Sequence, residues 1–407
     1  MAIFCHARVI TCNKREEVFP DGFVAIEGDK ILDAGEMAKL SSHPHLAGET
    51  QIDLSGKTII PGLVNAHIHF TMRRGLGQVT SHPDVATESF QAVRTCLNCL
   101  REGVTAARDM GHNDQVHLQL RDAVQSGMIL GPRIKAAGVA ILMSWGHAYF
   151  MCQQVHTVDE AVAEIRRQVT FGADFIKLIA SNDDVWQNKG TDLTVPWFDL
   201  KVLKACVETA HECGLKVTVH ANGTETLKRV LQAGIDGIEH GIYLNRSQAR
   251  EMKERGVFLV PTMTGYRENA DPKWGRGDLW TERYAALWSQ HQRSIAHALE
   301  EGVLIAAGTD TLGEVADEME LLTRLGMSSL DSLKAATLHG AKVLEMENEI
   351  GSLEPGKMAD FVVLDRNPLE DIRGVRSICQ VVKGGKSYHR DELDRFVPEC
   401  RRFAPGW

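Results

Sequence analysis

Five short apolar runs in the middle of this sequence carry residues that can bind a cation or move a proton. The first contains His67-Ile68-His69, a later one Lys177, and others reach His220, His240 and Asp310. Each such group costs several kcal/mol to bury without a partner, so something must satisfy them together. Side chains on a strand alternate faces, which puts His67 and His69 on one side with Ile68 opposite. Both imidazoles can therefore share one cation. Taken singly, each residue also has an ordinary reading. The H-x-H can be a core or surface pair, His220 a core histidine, Lys177 a snorkelling side chain and Asp310 a helix cap. Their recurrence at matching places of five runs points instead to a metal centre.

Imidazole nitrogen and carboxylate oxygen suit zinc and similar divalent ions, with manganese, cobalt and iron also compatible. Lysine is the odd member, because an ammonium repels a cation. It fits if the ε-amine adds CO₂ to become a carbamate, an anion whose two oxygens can bridge two metals. Burial beside cations lowers a lysine pKa and supplies the neutral amine that reaction needs.

Positioning these residues requires a repeated scaffold. Apolar runs recur as PGLVNAHIHF, GVTAARDMG, PRIKAAGVAI, ADFIKLIA, LKVTVHAN, GIDGIEHG, GVFLVPTM and GVLIAAGTD. Between them lie helical patterns such as TVDEAVAEIRRQVTFG, PWFDLKVLKACVETAHECG and GTETLKRVLQAG, several opening on Thr or Asp and closing on Gly. Apolar strands alternating with amphipathic helices give a parallel sheet, and eight units predict an α/β fold of the (β/α)8 TIM barrel kind. An open doubly wound sheet is the other option, but the G-x-G-x-x-G turn after an early strand is missing. Both ends of the chain read differently, as short strands broken by Gly-rich turns. The expected organisation is residues 1–60 and 351–407 forming one small β-sandwich around a 61–350 barrel.

Forty-five basic against 54 acidic residues leave a net charge of −9, which argues against nucleic acid as the main ligand. No window approaches ~18 uninterrupted apolar residues, so no membrane span is expected. The first residues lack a basic segment followed by a long apolar one, so export by signal peptide is not expected either. Nine scattered cysteines read as reduced thiols of a cytoplasmic protein, and Cys96-x-x-Cys99 as two thiols one helical turn apart.

The runs PGLVNAHIHF, FIKLIAS, VTVHAN, IEHGIYL and AAGTD resemble the amidohydrolase superfamily. So do SGKTIIPGLVNAH and IGSLEPGKMADFVVLD near the two ends, and the likeness covers roughly residues 1–390. The strand-four lysine and the E-H-G-x-Y-L stretch are similar to the prolidase-like and imidazolonepropionase-related branch. That resemblance implies hydrolysis of a C–N amide bond in a small molecule, such as a dipeptide, an acylated amino acid or a carbamate, with a carboxylate on the substrate. It implies His67, His69 and Asp310 on one zinc-like ion, His220 and His240 on a second, and carboxylated Lys177 between them. A hydroxide between the ions would attack, and Asp310 would take its proton and pass it to the leaving amine. A homo-oligomer is also expected.

Other positions follow from the same likeness. Tyr243 matches a tyrosine that meets the substrate carbonyl or carboxylate. His147 matches a substrate-contacting histidine, although its SWGHAYF loop departs from the family's Gly-Gly-His-Gly. Arg73 and Arg74 could pair a substrate carboxylate or be solvated loop charges. After Lys177 the chain has Ser181-Asn182-Asp183-Asp184 where the family often has Gly-Gly, so specificity is expected to differ. Residues 264–284 could be a lid or a surface insertion. The alternative chemistry is a deaminase, or a hydrolase opening a cyclic amide or imidazolone, on one metal. Deaminases of this superfamily generally lack a carboxylated lysine.

Overall fold

The computed structural model describes residues 1–40, 46, 49–71, 85–112, 116–143, 148–181, 196–274 and 277–397. Its architecture is α/β, with parallel strands in the middle of the chain and a β-rich part drawn from both ends.

The central strands are short and mostly buried along their length, as expected where helices cover a parallel sheet, although Arg133 and Lys135 of Arg133–Ala136 are only partly buried. Leu63–Ile68, Val104–Asp109 and Arg133–Ala136 pair in that order. Cys152–Gln154, Ala140–Leu142, Ile176–Ile179, Val217–Ala221, Gly237–His240 and Phe258–Val260 form a second parallel group in that order. The run PRIKAAGVAI is thus two strand pieces around Gly138, one paired with each group.

The eighth run, GVLIAAGTD, is not a regular strand. It makes isolated bridges, Leu259↔Ile305 on one side and Ile68↔Asp310 on the other. The reason lies in its contact with the first strand. Thr309 and Asp310 N–H both donate to the His67 carbonyl, at 2.9 and 2.8 Å, so the ladder cannot step evenly. Gly308 permits the approach, because a Cβ there would lie 2.7 Å from His67 Cβ.

The intervening helices start and stop where their sequences say. Thr157 accepts from Glu160 N–H to open Val158–Thr170, and Asp199 accepts from Lys201 N–H to open Leu200–Glu212. Thr224–Ala233 ends on Gly234 at φ +86. Their inner faces place Ile165, Leu203, Val207, Leu227 and Leu231 against Leu178, Val219 and Ile238 in one buried core. Each such aliphatic side chain contributes about 1.5–3 kcal/mol on burial.

At the ends, seven strands lie side by side: Lys386–His389, Ile378–Lys383, Phe361–Leu364, Thr58–Pro61, Ala2–Ile10, Val18–Glu27 and Lys30–Glu36. Gln51–Asp53 also pairs with Ala2–Ile10. The two ends meet where Thr58–Pro61 runs antiparallel to Phe361–Leu364. Period two decides the faces. Phe361 and Val363 join Phe4, Val9 and Ile59, whereas Val362 and Leu364 join Ile60, Leu100 and Val104 beneath the central strands. Every described cysteine is a free thiol, with Cys96 and Cys99 buried on the helix Val85–Arg101. Among the described residues no helix is long and apolar enough to cross a membrane.

Candidate metal centre

Strand ends bring the predicted ligands together. His67 closes toward the end of Leu63–Ile68, Lys177 lies within Ile176–Ile179, and His220 and His240 sit at the ends of neighbouring strands. The parallel register sets Ile179 beside His220 and Ala221 beside His240. Asp310 reaches the first strand through its bridge to Ile68. The rings form a continuous set, with centroids 5.6 Å apart for His67–His69, 5.2 Å for His67–His240 and 4.4 Å for His220–His240.

His67, His69 and Asp310 offer ligand atoms that all lie within 4.8 Å of one another. The Nε2 atoms of His67 and His69 stand 3.7 and 3.6 Å from the same oxygen, Asp310 Oδ1. That is too long for a hydrogen bond. It is close to the roughly 3.4 Å that separates two ligand atoms on a tetrahedral ion with ~2.1 Å bonds.

The protons are placed to leave those nitrogens free. His69 Nδ1 lies 2.9 Å from the Gly111 carbonyl, which can only accept, so Nδ1 carries the hydrogen. Gly111 adopts φ +86, and a Cβ there would meet the Gly138 carbonyl at 2.2 Å. His67 Nδ1 donates to Glu239 Oε2 at 2.6 Å. Burial holds the pKa of His67 below the ordinary value and those of His69 and His240 well below it, with the Lys177 charge adding to each. Neutral imidazoles are the form that binds a cation.

Lys177 is 3% exposed, and burial lowers its pKa to about 8 against the pull of Glu239 and Asp310. A sizeable share of its amine is then neutral near pH 8, the form that adds CO₂. Donor set, spacing and protonation all fit a divalent ion.

The backbone is strained at these positions. His240, Tyr243, Thr262 and Asp310 have φ between +51 and +72, in the left-handed region that non-glycine residues avoid. Hydrogen bonds hold them there. His240 Nδ1 meets Thr262 Oγ1 at 2.6 Å. Glu318, fully buried, accepts from the N–H groups of Met263 and Thr264 at 2.9 and 2.8 Å and from Thr264 Oγ1 at 2.7 Å. Gly265 in that segment packs against Asp310, and Asn222 donates to Tyr266 Oη at 3.0 Å.

Glu239, Arg108, Thr262, Asn222 and Glu318 escaped sequence reasoning. A signal existed for two of them. Arg108 and Glu239 are charges inside apolar strand runs, and such charges must find each other.

Of the predicted substrate residues, Tyr243 lies three positions beyond His240, partly buried against Ile242 and Tyr266. His147, Arg73, Arg74 and Asn182-Asp183-Asp184 lie outside the described residues. The 264–284 segment is largely helical, within Met263–Asn269, Pro272–Trp274 and the start of Asp278–Glu301. Tyr266 and Tyr284 are buried there with Ile242 and Leu287.

The sequence profile of the amidohydrolase family matches residues 58–387. Ochratoxinase from Aspergillus niger is 28% identical over 371 residues, 81% of this chain and 75% of the relative. A 5-methylthioadenosine/S-adenosylhomocysteine deaminase from Bacillus cereus is 24% identical over 415 residues, covering 89% and 85%. Among solved structures, a Xaa-Pro dipeptidase with methionine bound in its active site superposes with a TM-score of 0.85 at 28% identity, covering 95% of this chain and 99% of that one.

Proposed function

Because the chain belongs to the amidohydrolase family, we propose that it is a binuclear metal-dependent hydrolase that cuts a C–N amide bond in a small substrate bearing a carboxylate. The observation that carries this reading is the convergence of His67 Nε2 and His69 Nε2 on one Asp310 oxygen at the separation expected between ligand atoms of a shared ion. His67, His69 and Asp310 would hold one divalent ion and His220 and His240 a second. Lys177, once its amine has added CO₂ and lost a proton, would supply the bridging carboxylate. Zinc is the ion we favour. When bound, the ions would polarise the scissile carbonyl and ionise a water at neutral pH.

The chain's own groups do the rest. Asp310 is the ligand most open to solvent, with 24% of its side chain exposed, against 1% for His67 and 9% for His69. Its second oxygen would accept the proton of the attacking water and return it to the leaving nitrogen. Tyr243 would orient the substrate carbonyl or carboxylate, and His147 would contact the same molecule from the loop after the third strand. The strands of residues 61–350 would close as one (β/α)8 barrel through the bridges of the eighth run, flanked by a sandwich from 1–60 and 351–407. A carboxylate on the substrate gains support from the methionine in the dipeptidase active site. Assembly as a homo-oligomer is part of the same proposal.

Deamination is the second reading, because a deaminase is among the relatives. Lys177 disfavours it. Zinc-loaded protein would be screened against dipeptides, N-acyl amino acids, carbamates and aromatic ureas, with metal counted per chain. Two ions and amine or amino acid release support the proposal. One ion with ammonia released from a heterocycle overturns it.

A further inference from the structure

Beneath the imidazoles lies a buried ion pair that the chemistry above does not use. Glu239, with no exposed surface, accepts from His67 Nδ1 at 2.6 Å, from Arg108 Nη2 at 2.5 Å and from Thr218 Oγ1. Arg108 is 2% exposed, donates through Nε to the Ala66 carbonyl at 2.8 Å, and lies 5.1 Å from the ring centroids of both Phe175 and Phe258. For stability alone an apolar pair of similar volume would serve as well, since desolvating two charges offsets their attraction.

Its location gives it a different use. His67 is backed by an anion, whereas His69 leans on the neutral Gly111 carbonyl and His240 on the Thr262 hydroxyl. A carboxylate behind an imidazole fixes the ring and its tautomer and makes the opposite nitrogen a better donor. We propose that Glu239 is a positioning residue for metal: it holds His67 with Nε2 aimed at the ion and strengthens that donor, so the ion on His67 binds more tightly than its neighbour. Arg108 keeps the carboxylate in place and ionised. The inference rests on the binuclear reading above.

The test is zinc titration of metal-free protein against a chromophoric chelator, with thermal unfolding measured alongside. Wild type should bind in two steps. Glu239→Gln should weaken the tighter step about 10–100-fold and leave the weaker one in place. The double variant Arg108→Met/Glu239→Gln removes both charges of the pair, so Arg108 is not left buried without its carboxylate, and should show the same loss. Two unchanged binding steps with a lowered Tm would make Glu239 merely structural and overturn the inference. Wild type itself provides a check that needs no folded variant at position 239. Nitrogen NMR of the metal-free protein should show His67 protonated on Nδ1, its signal identified by its loss in His67→Gln, and protonation on Nε2 alone would overturn the inference. If wild type instead takes up no zinc, the binuclear reading fails, whatever Glu239 does.

Discussion

Two buried clusters of histidine and carboxylate sit side by side in this molecule, built on opposite principles. In one, His117 Nδ1 meets Asp109 Oδ2 at 2.5 Å and His112 Nδ1 meets Glu88 Oε1 at 3.3 Å, the two rings 6.0 Å apart. There the Nδ1 of each imidazole faces a carboxylate oxygen of its own. In the other, two imidazole nitrogens face a single Asp310 oxygen from 3.6 and 3.7 Å, outside hydrogen-bond range. Residue types do not separate the clusters; distance and sharing do. The paired cluster also buttresses the open one, because Asp109 accepts from Gly111 N–H at 3.1 Å and Gly111 holds His69.

The largest expected effect follows from removing the bridging anion proposed for the open cluster. Lys177→Ala should drop turnover to background, with partial recovery on adding short carboxylic acids or bicarbonate. Full turnover without rescue would end the bridge assignment. Asp310→Asn should keep metal, counted by elemental analysis, yet lower kcat about 10²–10⁴-fold through lost proton transfer. An unchanged kcat would take Asp310 out of that role.

His117→Gln addresses the paired cluster. It should cost about 1–3 kcal/mol in denaturant unfolding, the penalty for disturbing a buried hydrogen bond, while metal content stays as in wild type. Loss of a metal equivalent would merge the two clusters into one site.

A smaller effect concerns Glu318, a buried carboxylate that faces backbone N–H groups rather than an imidazole. Burial raises its pKa from 4.5 to about 7, against the donors of Thr264 and Met263. The folded protein then keeps this proton up to about pH 7, while the unfolded chain releases it near pH 4.5. The native state binds more protons across that window, so this group's contribution to stability falls as pH rises through it. Unfolding free energy measured from pH 4.5 to 7 should show a shallower decline in Glu318→Gln than in wild type. Parallel profiles would contradict that.

Much of the site was legible because strand periodicity is local. The single residue between His67 and His69 fixes their common side, and apolar runs ending in polar residues mark where strands stop. Pairing between distant strands is not local. Arg108 and Glu239 are 131 residues apart in sequence, and each alone reads as an oddity inside an apolar run. The uneven eighth run was hidden for the same reason. Its shape is set by two N–H groups reaching one carbonyl of His67, a contact that GVLIAAGTD does not advertise. The ends were easier, since alternation in FVVL assigns Phe361 and Val363 to one face and Val362 and Leu364 to the other.

The most direct test is an anomalous diffraction map collected at the zinc edge from crystals grown with zinc. Two peaks roughly 3.5–4 Å apart, one among His67, His69 and Asp310 and one beside His220 and His240, with added density on Lys177 Nζ, are what the account predicts. A single peak beside an unmodified Lys177, or none among these side chains, would contradict it.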